Sequence, residues 1–260
     1  MKFKPLIIKK ELEIKKYFIK YGLQELLEVK KFISKKPNEM KDSISFLPEL
    51  DDLYLLHKYI ILFKRMTVLE FGHGWSTLVM ANAIDHNRKK YLKLKGELRL
   101  NNGGEVHCID NYKKWINKTK IKVKKYSKFV KFHHSDVYMD TFNGRICTSF
   151  NKIPNINPDF IYLDGPDQFN IKGKINSFNI GHKDFMPMTS DILKIEHFLK
   201  PGTIIVVDGR AANSRFLKTN FQRNWKYFYN SFNDQHVFLL DEKPLGILNR
   251  NQLKFYFGKK

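Results

Sequence analysis

Apolar and polar positions divide the chain into a helical beginning and a longer part in which strands and helices alternate. Within residues 1–50, apolar side chains recur at helical spacing, which predicts amphipathic helices over about 8–20 and 22–34. The polar stretch KKPNEMKDS follows, and its Pro and Asn indicate a break. A third apolar helix is predicted over 53–63.

Short β-branched and aromatic segments then alternate with helical patterns, which is typical of a parallel α/β sheet. Five mostly apolar segments suit central strands covered on both faces: MTVLEF (66–71), EVHCID (105–110), FVKFHH (129–134), DFIYLD (159–164) and TIIVVD (203–208). Two later segments are close enough in the chain for an antiparallel pair: WKYFYN (225–230) and HVFLLD (236–241). The pattern therefore predicts five parallel strands and a terminal hairpin.

Two stretches do not follow this alternation. Residues 86–104 are highly charged and are interpreted as an insertion outside the core. Residues 165–188 follow the fourth predicted strand and are irregular, and long loops of this kind in compact domains are commonly functional. We expect the second stretch to lie where a substrate binds.

Composition supports a folded chain with a sizeable core, because 42% of the 260 residues are hydrophobic. No apolar run reaches the length of a membrane span, and the lysine-rich beginning lacks the features of a signal peptide, so a cytoplasmic location is predicted. Cys108 and Cys147 stand apart without metal-ligand spacing and are predicted to be buried free thiols.

The formal net charge of +21 is compatible with nucleic acid, an anionic membrane surface or acidic substrates. However, the cations are 39 Lys and 8 Arg, and the lysines are scattered through every segment. Arg is the residue favoured for bidentate phosphate and base recognition. Nucleic acid therefore stays open as a partner but is not favoured.

Candidate chemistry is concentrated at the ends of the predicted strands. The first strand continues into a helix through the segment Glu70-Phe71-Gly72-His73-Gly74. Its two glycines have no Cβ, so the backbone there can turn tightly and approach a ligand closely. Acids end or follow the other parallel strands: Asp110, Asp136, Asp164 and Asp208. Ligands of open α/β sheets bind outside these strand ends, so the acids predict a binding site there.

Over about residues 60–241 this pattern resembles the class I S-adenosylmethionine-dependent methyltransferases. The resemblance implies a Rossmann-like, doubly wound, seven-stranded and mostly parallel sheet whose last strand is antiparallel. With it we predict a helical extension over 1–50 and one methyltransferase domain over 51–260.

The resemblance also implies S-adenosylmethionine as cofactor and a role for several residues. Glu70, Gly72 and Gly74 match the donor loop, Asp110 matches the ribose-binding acid and Asp136 the acid beside the adenine. Asp164 matches the position beside the transferred methyl group. Two further residues of the loop are candidate contacts to the donor: His73 and Ser76.

Two features depart from common patterns. Asp110 lies 36 residues beyond Gly74, although roughly 20 is usual, so 86–104 must be looped out. Thr77 stands where a dinucleotide-binding loop has its third glycine, which argues against a nicotinamide cofactor.

The leading hypothesis is methyl transfer to an oxygen of a small molecule or saccharide. Asp164 and His182 are the predicted catalytic residues, since a hydroxyl acceptor must lose its proton, and Asp184 is a further candidate base. A magnesium ion held by Asp164, Asp208 and Asn213 is a less favoured alternative. The other readings are an RNA methyltransferase, a nicotinamide-dependent oxidoreductase and a non-catalytic nucleotide-binding module, and a homo-oligomer stays open.

Overall fold

The computed structural model describes residues 3–29, 47–232 and 234–258. The α-helices in this part of the chain are α1 (Glu11–Lys20), α2 (Leu50–Leu62), α3 (Trp75–Tyr91), α4 (Lys113–Lys122), α5 (Asp191–Ile195), α6 (Ala211–Asn220) and α7 (Gly246–Phe257). The strands are β1 (Thr67–Phe71), β2 (Glu105–Asp110), β3 (Val130–His134), β4 (Val137–Phe142), β5 (Arg145–Phe150), β6 (Phe160–Leu163), β7 (Ile171–Lys172), β8 (Ile204–Asp208), β9 (Trp225–Asn230) and β10 (Gln235–Leu240).

Seven strands form one sheet in the order β3-β2-β1-β6-β8-β10-β9. Strands β3, β2, β1, β6 and β8 pair in parallel, whereas β10 is antiparallel to both β8 and β9. The predicted fold class is therefore confirmed, including the terminal hairpin. The order reverses at β1, which has β2 on one side and β6 on the other, so the carboxyl ends of these strands border the crevice in which such sheets bind ligands.

Each face of the sheet has its own hydrophobic core. On one face, strand residues such as Val68 and Val206 pack with Leu56 of α2 and Leu78 of α3. On the other face, residues such as Leu69 and Val207 belong to a core that includes α5, α6 and the β4–β5 hairpin. Strand side chains alternate between the two cores, which explains why the strands are apolar at nearly every position.

The N-terminal segment shares the first of these cores. Phe3, Ile14, Phe18 and Leu26 are buried in the same cluster as Leu55 of α2. Helix α1 agrees with the helix predicted over 8–20. The helix predicted over 22–34 is wrong where the structure describes it, because only a short 3-10 turn, Gln24–Leu26, follows Gly22, whose φ of +69° ends the first helix. Residues 30–34 of that prediction lie outside the described residues.

Strands β4 and β5 were not predicted. They form a hairpin whose two-residue turn is Asn143-Gly144, with φ of +48° and +72°. An Asn-Gly pair between alternating segments is a strong sequence signal for such a turn. With β7, which lies inside the otherwise irregular stretch 165–188, the hairpin makes a second, three-stranded sheet.

The prediction that 86–104 lies outside the core is wrong in part. Helix α3 continues to Tyr91, whose hydroxyl donates to the carbonyl oxygen of Leu100 at 2.7 Å. The following loop buries Leu98 and Leu100 against Tyr91 and Met66. Charged neighbours concealed these apolar anchors in the sequence. The loop still leaves β2 paired with β1, as the position of Asp110 requires.

Other predictions concern cysteine chemistry and membrane spans. Cys108 and Cys147 are buried free thiols, as predicted. Within the described residues, no helix is both long enough and apolar enough to cross a membrane.

Candidate functional site

The Glu70 side chain stabilises the loop between β1 and α3. Its side chain is fully buried and accepts hydrogen bonds from the hydroxyls of Ser76 at 2.5 Å and Thr77 at 2.7 Å, and from the thiol of Cys108 at 3.1 Å. Burial raises the pKa of Glu70 to about 7. Glu70 and Ser76 were predicted to contact the donor, but here their polar atoms bond to each other and thereby fix the loop.

Gly72 and Gly165 bring β1 and β6 into backbone contact. A Cβ on Gly165 would lie 2.5 Å from the nitrogen of Gly72 and 2.9 Å from the carbonyl carbon of Phe71. Gly72 has a φ of +96°, and its N–H donates to the carbonyl of Ile109 at 2.9 Å. Both glycines are therefore required by the fold, and their contact places Asp164 directly beside the glycine loop.

Gly74 differs from Gly72 because nothing among the described residues requires it to be glycine. Its φ of 167° lies outside the left-handed region, and a Cβ there would meet no atom within 4 Å. Its N–H donates to the hydroxyl of Thr77 at 3.0 Å, which closes the first turn of α3. A glycine without a structural reason, at the mouth of the crevice, fits a ligand that approaches the backbone closely.

Asp110 and His73 meet at the end of β2. The Asp110 carboxylate accepts the N–H of Tyr112 at 2.7 Å and lies 3.5 Å from Nε2 of His73. The other ring nitrogen of His73 is 3.0 Å from the hydroxyl of Thr119. Burial raises the pKa of Asp110 to about 7 and, with the nearby Lys122, lowers the pKa of His73 to about 4.

His73 is therefore neutral near pH 7, and its Nε2 is buried without a hydrogen-bond partner among the described residues. One carboxylate oxygen of Asp110 lies 3.5 Å from this nitrogen. A carboxylate and a buried ring nitrogen without a partner, at the predicted ribose position, fit a ligand that carries hydroxyl groups.

Asp136 follows β3 as predicted, but it is half exposed and forms an ion pair with Lys172 of β7 at 2.8 Å. Hydrogen bonding to Lys172 lowers the pKa of Asp136. Lys172 was missed in the sequence because the strand that carries it has only two residues and no periodic pattern.

Asp164 ends β6 with its side chain 52% exposed. Arg210, at the start of α6, secures the turn by donating to the carbonyl oxygens of Asp164 and Pro166, and its Nε lies 3.7 Å from the Asp164 carboxylate. The guanidinium of Arg210 is therefore engaged by this turn.

Asp208 ends the neighbouring strand β8 on the same side of the sheet. The buried Tyr162 donates its hydroxyl to the Asp208 carboxylate at 2.9 Å. Burial, together with the nearby carboxylates of Asp52 and Asp164, raises the pKa of Asp208 to about 8. Asp52 belongs to the first turn of α2, so this helix contributes negative charge to the crevice beyond β6 and β8.

His182 contacts residues of its own loop. Its side chain is exposed, and its Nδ1 lies 3.4 Å from Asp184. The Gln168 amide donates to the carbonyl of His182 at 3.0 Å, which joins two parts of this loop.

Asn213 is not available as a ligand of the alternative magnesium site. Asn213 is fully buried, and its amide exchanges hydrogen bonds with the backbone of Thr189. Among the described residues, no group of three or more His, Cys, Asp and Glu side chains could hold a metal ion.

Comparison with known proteins agrees with the sequence pattern. Residues 69–209, more than half of the chain, match the sequence model of the family described as "Methyltransferase domain". Comparison with curated proteins gave no match.

Several solved structures have a similar arrangement. The methyltransferase PaMTH1 of Podospora anserina, solved with S-adenosylhomocysteine (SAH), is 12% identical, with 92% of this chain and 100% of that chain covered and a TM-score of 0.45. A protein assigned as a caffeoyl-CoA O-methyltransferase from Staphylococcus aureus is 13% identical, with 90% and 93% covered and a TM-score of 0.41. A protein assigned as an RNA methyltransferase from Pyrococcus horikoshii is 13% identical, with 88% and 96% covered and a TM-score of 0.38.

These TM-scores are too low to carry an argument about function, so the family follows from the matched segment. That segment runs from the end of β1 through the glycine loop and all the strand-end acids to Gly209, directly after β8. The chain therefore belongs to the methyltransferase domain family, and S-adenosylmethionine is the methyl donor that this membership supports.

Proposed function

We propose that the protein transfers a methyl group from S-adenosylmethionine to an oxygen of a small molecule or saccharide. The observation that carries this proposal is the contact between Gly72 and Gly165, which places the exposed Asp164 carboxylate next to the glycine loop. A donor seated on the loop would then have a carboxylate beside its reactive end, where an acceptor hydroxyl must also lie.

Three features of the loop and of β2 would hold the donor. Gly74 leaves its backbone open to close approach, Asp110 offers a carboxylate oxygen to the ribose hydroxyls, and His73 offers its unpartnered Nε2. The bound donor supplies an electrophilic methyl group on a sulfonium. Asp136 would reach the adenine amino group while keeping its ion pair with Lys172.

On the acceptor side, Asp164 would orient the attacking hydroxyl and accept its proton. Asp208, held by Tyr162, is a second carboxylate on the same side of the crevice, and its raised pKa suits proton transfer near neutral pH. His182 remains the other candidate base, but it is exposed and lies in a loop bound to Gln168 and Asp184.

The first experiment is calorimetric titration with S-adenosylmethionine, S-adenosylhomocysteine and, as a control, reduced nicotinamide dinucleotide. We expect both sulfur ligands to bind and the nicotinamide to give no heat. Gly74→Ala should weaken the binding of both sulfur ligands by about tenfold, because its Cβ would enter the space that the donor occupies, with only a small loss of stability. Wild-type affinity in this variant, or heat from the nicotinamide alone, would contradict the proposal.

The second experiment follows radiolabelled methyl transfer to a panel of sugars and phenols, with bulk RNA as a separate arm. Asp164→Asn should reduce turnover by about a hundredfold with donor affinity unchanged, since it removes only the proton acceptor. Labelling of RNA in preference to the small molecules would instead favour the nucleic-acid alternative.

A further inference from the structure

Helix α1 has an outward face that carries exposed apolar side chains. Ile14 and Phe18 point into the core, and on the opposite side Leu12 and Ile19 are 63% and 58% exposed. These two residues are seven positions apart and therefore lie one above the other on the helix. Lys15 and Lys16 stand between them on the same side, and both are exposed.

The orientation of α1 is fixed. The Tyr17 hydroxyl bonds to Nδ1 of His57 at 2.8 Å, and Nε2 of His57 bonds to the side-chain oxygen of Asn82 at 2.9 Å. Burial lowers the pKa of His57 to about 4, so this ring is neutral and the network does not change near pH 7. The apolar side chains on the outward face are therefore held in solvent by the fold.

A shallow groove of about 890 Å³ lies between the segment before α1 and the end of α2. It is lined by Leu6, Ile7, Leu62 and Phe63, and Ile7 is 78% exposed. Three lysines also line it: Lys4, Lys9 and Lys58. The groove and the outward face of α1 therefore have the same composition: both carry exposed aliphatic side chains among lysines.

The positive charge of residues 3–20 favours some partners over others. Residues 3–20 contain six lysines and two glutamates, and both glutamates are paired, Glu11 with Lys15 and Glu13 with Lys9. A second copy of the chain would bring the same excess of positive charge against it, which costs free energy. Nucleic acid would satisfy the lysines but leave Leu12 and Ile19 without apolar partners.

We propose that the outward face of α1 and the adjoining groove dock on an anionic membrane surface. Lysine ammonium groups would reach the lipid phosphates while Ile7, Leu12 and Ile19 enter the boundary between headgroups and acyl chains. This inference does not depend on the proposed function, because none of these residues belongs to the donor or acceptor site.

The test is co-sedimentation with vesicles of phosphatidylglycerol mixed with phosphatidylcholine, and with vesicles of phosphatidylcholine alone. The wild-type protein should bind the anionic vesicles more strongly than the neutral ones. The double variant Leu12→Gln/Ile19→Gln should lose at least about tenfold in vesicle affinity, because two apolar side chains no longer enter the interface. Donor binding in this variant should equal that of the wild type.

Helix α4 provides a matched control, since it is also rich in lysine and carries Ile121, whose side chain is 76% exposed. Ile121→Gln should leave vesicle binding unchanged. An equal loss in Ile121→Gln would overturn the proposal, as would unchanged binding in the double variant. A change in oligomeric state in the double variant without vesicles would assign the face to a second copy and would also overturn it.

A measurement on the wild-type protein alone avoids any doubt about folding of the variants. Vesicle binding should weaken with added salt and then level off, because the apolar contribution does not depend on salt. Binding to a homopolymeric RNA that exceeds binding to the anionic vesicles, or vesicle binding that disappears completely with salt, would overturn the proposal.

Discussion

The proposed donor side and the proposed acceptor side of the crevice are built differently. On the donor side, Glu70 is buried and Asp110 nearly so, and each is fixed by hydrogen bonds within the β1 and β2 region. On the acceptor side, Asp164 and His182 are exposed and belong to a turn and a loop. In the proposed function, the sheet and its hydrogen bonds hold the donor, whereas exposed loop segments face the acceptor.

The strongest test of this difference is the contact that joins the two sides. Gly165→Ala would place its Cβ against the backbone of Phe71 and Gly72, which cannot move without separating β1 from β6. We expect a loss of about 3 kcal/mol in the free energy of unfolding, measured by urea denaturation. Gly74→Ala is the matched control and should cost only about a few tenths of a kcal/mol. If the two variants had the same free energy of unfolding, the contact of Gly165 with the backbone of Phe71 and Gly72 would not be tight.

A second test concerns the buried acid of the donor side. Glu70→Ala leaves the donors of Ser76, Thr77 and Cys108 without their acceptor, so we expect a loss of about 2 kcal/mol in unfolding free energy and weaker donor binding. Ser76→Ala removes one of these bonds and should cost about 1 kcal/mol in the same urea experiment. If donor binding survived in Glu70→Ala, the loop would not need this support.

A third test uses pH. Because the pKa of Asp110 is raised to about 7, its carboxylate becomes protonated and neutral as the pH falls below 7, and a neutral acid is a poorer acceptor for ribose hydroxyls. Donor affinity should therefore fall by up to about tenfold for each pH unit below 7, measured by calorimetry. Asp110→Asn should bind weakly at every pH, and a pH dependence that persists in this variant would assign the titration to another group, such as Glu70.

The smallest effect is expected on the acceptor loop. His182→Ala should change turnover by less than about twofold, because its exposed ring is bound only within its own loop. Asp164→Asn, measured beside it with the same acceptor, should show the large loss proposed above. A large loss of turnover in His182→Ala and a small one in Asp164→Asn would instead identify His182 as the catalytic base.

Much of this site could be predicted from local patterns. Apolar periodicity identified the strands of the main sheet. The glycines and acids at the strand ends were predicted to lie together, because strand ends of a parallel sheet meet at one edge. The Asn143-Gly144 turn carried a comparable signal for the β4–β5 hairpin, although the surrounding segment was not interpreted as strands. The buried anchors Leu98 and Leu100 were concealed by charged neighbours.

The sequence by itself determined the fold class and the family, since these depend on periodicity and on short motifs whose geometry is local. Only the tertiary structure decided what each polar group faces. It showed that Glu70 supports the loop, that Arg210 holds the turn at Asp164, that Asp136 pairs with Lys172 and that His182 contacts Asp184. The pairings of Arg210 and Asp136 join residues far apart in the chain, and the strength of a charge depends on burial that no local pattern encodes.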